Sequence, residues 1–198
     1  MSKPDRREPQ PSGEHALPAD SAMLIMDLIN NFDFSGGEAL MAQTRQILPS
    51  VLALRDRYDA AKQPVIYAND NFGRWRSEFS EVVACCSHPD ATGSAIARKM
   101  TPLPIHYSIL KPRHSAFFMT PLKLLLDELH MQALTIVGIA GDQCVLATAM
   151  EAHTRGYSLW VPGNTMASIT PARNQRAKDY LHEVLGARIA DAEVQCPA

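Results

Sequence analysis

Long apolar runs are absent from this 198-residue chain. No stretch approaches the roughly twenty consecutive apolar residues a membrane-crossing helix needs, so no membrane partner is expected. The opening segment, Met1 to Asp20, is polar, carries several prolines and lacks the apolar centre of a secretory signal. It reads as a flexible N-terminal arm over residues 1–20, ahead of a single domain over residues 21–198. Charge of one sign is also lacking: 19 Lys and Arg against 21 Asp and Glu leave a formal net charge of −2. That balance gives no electrostatic reason to expect a nucleic-acid partner. Cysteine is scarce, with four residues, no C-x-x-C spacing, and an adjacent Cys85-Cys86 pair ill-placed to bridge to itself. A disulfide scaffold is excluded, and a reducing, cytoplasmic setting is the simplest expectation. Neither a P-loop nor a G-x-G-x-x-G stretch occurs, so no nucleotide cofactor is expected. No two histidines stand at the helical i, i+4 spacing of a metal pair.

What is present is alternation. Apolar runs at Ala22–Met26, Pro64–Ala68, Ser108–Leu110, Leu134–Ile139 and Ser158–Val161 read as strands, with Arg188–Ala190 as an edge strand. Between them lie segments of helical period: Glu38–Asp59 (with Pro49 as a cap or kink), Ser77–Cys85, Ser94–Met100, Pro121–His130, Asp142–Arg155 and Pro171–Leu185. Wholly apolar strands alternating with helices predict a mostly parallel, Rossmann-like central sheet in a three-layer α/β/α fold.

In such sheets ligands bind beyond the carboxyl ends of the strands. Asp27, Asp70, Lys111 and Cys144 all fall at or just past those ends. Cys144 stands where strand gives way to helix, in Gly138-Ile139-Ala140-Gly141-Asp142-Gln143-Cys144-Val145. A thiol in a first helical turn faces free backbone N–H groups and the positive end of the dipole, which favours the nucleophilic thiolate. A small hydrophobe packed in the core is the blander alternative. Asp27 can accept the thiol proton, Lys111 can pair with Asp27, and the N–H groups of Ala140 and Cys144 can form an oxyanion hole. Without that chemistry, Asp27 would cap a turn and Lys111 would be a solvated lysine before Pro112.

Three segments then stand out in order: Leu24-Ile25-Met26-Asp27-Leu28-Ile29-Asn30-Asn31-Phe32, Lys111-Pro112-Arg113-His114-Ser115-Ala116-Phe117, and the Cys144 loop. Together they resemble the isochorismatase-like cysteine hydrolases, the superfamily of nicotinamidases and N-carbamoylsarcosine amidohydrolase. The resemblance covers nearly everything from Ala22 onward. It implies an Asp27–Lys111–Cys144 triad, a non-proline cis peptide at Ile139-Ala140, a thioester-type intermediate and C–N cleavage of a small amide or ureido substrate. It also implies a homo-oligomer.

Departures from the family's pattern matter as much. Isochorismatases themselves lack the cysteine, so ether cleavage is disfavoured here. Nicotinamidases hold a metal with one aspartate and two histidines. The corresponding stretch, Asn69-Asp70-Asn71-Phe72-Gly73-Arg74-Trp75-Arg76, offers only Asp70, so no metal and no cofactor are expected. The family's usual Thr or Ser in the nucleophile loop is Gly141 here. Phe32, Asp70, Arg74, Trp75, Arg76 and His114 are the candidate substrate contacts, the arginines suiting a carboxylate and the indole a flat wall. Alternatively Arg74 and Arg76 pair with Glu78 and Glu81 on the surface. The competing functions are a nicotinamidase-like, metal-assisted amidase and a non-catalytic binding protein on the same fold.

Overall fold

Every residue of Ser21–Met26 (β1) is buried, which places this strand at the centre of a sheet and not at its edge. In the computed structural model, which describes residues 17–193, it is followed by Gly37–Ala60 (α1), Val65–Asp70 (β2), Phe79–Ser87 (α2), Ser94–Lys99 (α3) and Tyr107–Lys111 (β3). Leu122–Glu128 (α4), Ala133–Ile139 (β4), a π-helical turn at Gly141–Val145 and Leu146–Thr154 (α5) come next. Ser158–Trp160 (β5), Met166–Ala167 (β6) and Pro171–Glu183 (α6) complete the order. The strands run β3-β2-β1-β4-β5, every pair parallel, with β6 pairing the last residues of β4.

Strand alternation sends the two sides of β1 into two cores. Met23 and Ile25 join Leu40, Val51, Leu54 and Tyr58 of α1 and the apolar faces of α2 and α3. Leu24 and Met26 join Leu122 and Leu126 of α4, Ala149 of α5 and Leu181 of α6. The fold is therefore the expected three-layer α/β/α sandwich. Tyr58 crosses between layers, its hydroxyl 2.8 Å from Ser21 Oγ and donating to Thr135 Oγ1 at 2.7 Å. Where β1 and β4 lie closest, Gly138 has φ 113°, and a Cβ there would stand 2.2 Å from the Met26 carbonyl oxygen.

Several boundaries differ from the sequence reading. Pro49 neither ends nor interrupts α1; it sits on the exposed face, where the missing N–H bond is tolerated. Lys111 is the last residue of β3 and not a loop residue after it. The expected edge strand at 188–190 is a single bridge from Arg188 to Trp160. Of the expected arm, residues 1–16 lie outside the described residues, as does Cys196. Leu17 packs on the first core, and the Pro18 carbonyl accepts from Ser21 Oγ and Gln63 Nε2. Among the described residues no helix is long and apolar enough to cross a membrane.

Candidate active site

Strand order reverses between β1 and β4: β2 and β3 lie to one side and β5 to the other. The crevice at such a switch is where α/β sheets bind ligands. Asp27 leaves β1 and the Ala140–Cys144 loop leaves β4 at that point, and Lys111 ends β3 two strands away.

Asp27 adopts φ 53°, a left-handed conformation that aspartate tolerates better than most residues. Its backbone N–H donates to the Ala68 carbonyl at 3.1 Å. Its Oδ1 accepts from the Asp70 N–H at 2.7 Å, and its Oδ2 lies 2.9 Å from Lys111 Nζ. Lys111 is wholly enclosed, 0% exposed, and Nζ also donates to Cys144 Sγ at 3.4 Å and to the Arg113 carbonyl at 3.3 Å. His114 Nδ1 lies 3.6 Å from the same sulfur. The three residues taken from different strand ends are thus within contact of one another.

Burial pushes the Cys144 thiol up to about 12; the negative charge of Asp27 adds to this, and the Lys111 ammonium opposes it. For Lys111, burial alone would lower the pKa, but the Asp27 charge, joined by that of Cys144 once the thiol ionises, outweighs it and raises the value above its usual range. The resting site therefore holds a neutral thiol beside a charged lysine. This corrects the expectation of a dipole-stabilised thiolate. Cys144 lies in a π-helical turn and not in the first turn of an α-helix, and desolvation dominates.

The nucleophile loop begins at a cis Ile139–Ala140 peptide and closes with the Val145 N–H on the Ala140 carbonyl at 3.2 Å. Gly141 is crowded by side-chain ends: a Cβ would come within 2.5 Å of Asn174 Oδ1 and 2.6 Å of Met166 Cε. Ser168 Oγ, 3.1 Å from Asn174 Oδ1, accepts from the Asp142 N–H at 3.1 Å, and Arg173 Nε pairs with the Asp142 carboxylate. A hydroxyl absent from the loop is thus supplied from the segment after β6. Sequence reading missed β6 and this support, because two paired residues carry no periodic signal.

The cavity above Cys144 is about 320 Å³. Asp27, Ala140, Gln143 and Cys144 line it together with Asp70, His114, Phe34 and Phe72. Asp70 and His114, two of the expected substrate contacts, thus line this cavity. Phe32 is not: it is 4% exposed and packs in the core beneath the loop, its N–H bound to Asn30 Oδ1 at 2.7 Å. Phe34 and Phe72, not singled out from sequence, take the wall position instead. The Asn69 side chain sets this loop, donating to the Ile29 carbonyl at 2.9 Å and accepting from the Ile29 N–H at 3.2 Å.

Arg74 and Trp75 also fall outside this cavity. Arg74 lines two neighbouring hollows of about 290 and 330 Å³, Trp75 stands 78% exposed at the first, and Arg76 lines neither. Their alternative pairing is not seen either, since Glu78 and Glu81 form the capping box of α2. His106 is structural, wedged between Asp59 (Nε2 to Oδ1, 2.9 Å) and the Leu103 N–H. A nicotinamidase-like metal does not fit the donors present. Asp70 is followed by Asn71 and Phe72, and no group of three His, Cys, Asp or Glu able to hold an ion occurs among the described residues.

Similarity to known proteins places the chain by family and by fold. The family described as the isochorismatase domain matches residues 21–193. The uncharacterized isochorismatase family protein YaaI of Bacillus subtilis (strain 168) is 38% identical over 175 residues, spanning 88% of this chain and 96% of YaaI. The ureidoacrylate amidohydrolase RutB of Cronobacter sakazakii is 23% identical over 206 residues, spanning 91% of this chain and 89% of RutB. Among solved structures, N-carbamoylsarcosine amidase from Thermoplasma acidophilum superposes with a TM-score of 0.67 at 21% identity. It shares the fold over 90% of this chain and 99% of its own.

Proposed function

This chain belongs to the isochorismatase domain family, and from that premise we propose that it is a cysteine hydrolase cleaving a C–N bond of a small amide or N-carbamoyl compound without a metal. One observation carries the reading: a fully buried lysine, Lys111, stands 2.9 Å from the Asp27 carboxylate and 3.4 Å from the Cys144 sulfur. A lysine placed so deep between an acid and a thiol organises charge, and core packing alone has no use for it. RutB, a ureidoacrylate amidohydrolase by name, supports the C–N assignment.

In this mechanism the thiol begins protonated, because burial holds it up to about 12. As Cys144 Sγ bonds to the substrate carbon, its proton passes to Asp27, so no free thiolate need accumulate. The oxygen left with negative charge is met by the N–H groups of Ala140 and Cys144. Collapse of the adduct breaks the C–N bond, and Asp27 returns its proton to the departing nitrogen. Water then attacks the thioester, Asp27 accepts one of its protons, and that proton restores the thiol as the acid departs. Lys111 keeps Asp27 oriented and offsets the charge that grows on sulfur. Asp27 alternates between base and acid, and Lys111 stays charged throughout.

The deciding experiment is ammonia or amine release from a panel of primary amides and ureido compounds, with metal chelated. Wild type is expected to turn over at least one compound, and Cys144→Ala to lose at least about a thousandfold in kcat/KM with its fold intact. Turnover surviving in Cys144→Ala, or turnover that needs an added divalent ion, would overturn the assignment.

A further inference from the structure

The charge in the cavity argues against the carboxylate-bearing substrate that Arg74 and Arg76 suggested from sequence. Asp27 is balanced by Lys111, whose ammonium is spent on Asp27, Cys144 and the Arg113 carbonyl. Cys144 is neutral at rest. The Lys111 ammonium, bound to Asp27, feels the charge of Asp70 only as the smallest of several influences, and Asp70 has no ion pair of its own among the described residues. Its Oδ1 accepts the Phe72 N–H at 2.5 Å, and among the described residues its other oxygen has neither a hydrogen bond nor an ion pair. His114 is the remaining titratable group on the wall. Among the described residues no arginine lines the cavity; Arg74 lines the adjoining hollow, where Asp33 stands with it and where Phe34 and Phe72 also form part of the wall. A substrate carboxylate beside Asp70 would be repelled, and the enclosed Lys111, already paired with Asp27, offsets that only in part.

Two aromatic side chains line the same cavity. Phe34 is 48% exposed and Phe72 is 43% exposed, and both line the cavity with Asp70. Phe72 has φ 50°, and its N–H bond to Asp70 holds the carboxylate next to the residue that bears the ring. Aromatic rings beside a free carboxylate bind organic cations: the ring faces attract the charge, and their apolar surface accepts the alkyl groups around it. Freed of metal-ligand neighbours, Asp70 has this second use.

We propose that Asp70, Phe34 and Phe72 form a subsite for an organic cation, so that the substrate class is an amide or urea bearing an ammonium, guanidinium or quaternary nitrogen. The inference rests on the hydrolase reading for the substrate's reactive end, but the cation subsite can be read without turnover. Methanethiosulfonates that differ only in the charge of the transferred group serve as probes. Cys144 sulfur loses its proton and forms a disulfide with the reagent, and methanesulfinate leaves. The trimethylammonioethyl and sulfonatoethyl reagents are compared at low salt by mass mapping of the Cys144 peptide, with Cys85 and free 2-mercaptoethanol as references.

The cation-to-anion rate ratio at Cys144 is expected to exceed both references by about tenfold or more. In Asp70→Asn it should collapse toward the reference, and in Phe72→Leu, which keeps every charge, it should fall part of the way. A ratio at or below the references, or one unmoved by Asp70→Asn, overturns the proposal. A matched set of amides ending in trimethylammonium, tert-butyl or carboxylate separates the two readings. Cleavage of the neutral amide as fast as the cationic one removes the cation subsite and leaves the hydrolase. A charge-selective Cys144 with no amide cleaved does the reverse.

Discussion

The floor and the rim of the cavity are built on different principles. On the floor, Asp27, Lys111 and Cys144 are 5%, 0% and 8% exposed and are held by parallel strands or by the loops that leave them. At the rim, Phe34 and Phe72 are 48% and 43% exposed, with Trp75, 78% exposed, beyond it at the neighbouring hollow, and all three ride on loops that turn through left-handed residues such as Phe32 and Phe72. Position on the floor follows from the sheet. Position on the rim follows from single hydrogen bonds and turns, so the rim can be rebuilt without disturbing the floor.

Lys111→Ala is the strongest way to break that contrast. It leaves the Asp27 carboxylate buried without its counterion, and a loss of about 3–5 kcal/mol in urea unfolding is expected together with loss of turnover. A mild effect on stability would mean that the floor is not held by this pair.

Alkaline titration comes next. The native state holds the Cys144 proton to about 12 and the Lys111 proton above its usual range, against ordinary values of 9.0 and 10.5. Both groups therefore bind protons more tightly folded than unfolded. Their stabilisation is complete below about pH 9 and is lost as pH rises through the folded values. Thermal unfolding followed from pH 8 to pH 11 should show a falling midpoint, with a shallower fall in Cys144→Ala.

The smallest expected effect sharpens the contrast from the rim side. Trp75→Ala removes a large but mostly solvated side chain and should change stability by less than about 0.5 kcal/mol. It should also leave the reactivity of Cys144 toward neutral iodoacetamide unchanged. A large effect would show that Trp75 is covered by something in solution.

The floor was legible in the sequence for a simple reason. Apolar runs such as Ala22–Met26 and Leu134–Ile139 announce buried parallel strands, and parallel strands bring their following residues to one end of the sheet. Asp27, Lys111 and Cys144 could therefore be grouped before any coordinates existed. The rim was not legible, because no periodic rule connects side-chain direction to number within a loop. Phe32 and Phe34 are two apart, yet one enters the core and the other faces the cavity. What separates them is the φ of 55° at Phe32 and the Asn69 amide holding Ile29, a contact spanning forty residues. The thiol's state was misjudged for a related reason: the dipole argument is local, whereas burial is set by the whole fold.

The crowding around Gly141 also limits how this site can change by mutation. A side chain there must displace Met166 or Asn174 before it can contribute a hydroxyl. Truncation at 166 is therefore expected to relieve only part of the cost of a substitution at 141, since Asn174 crowds the same volume, a non-additivity that follows from groups competing for one space. With this space filled by Met166, Ser168 and Asn174, a loop bearing serine or threonine at 141 calls for a compensating change further along the chain, on the segment that carries those three residues.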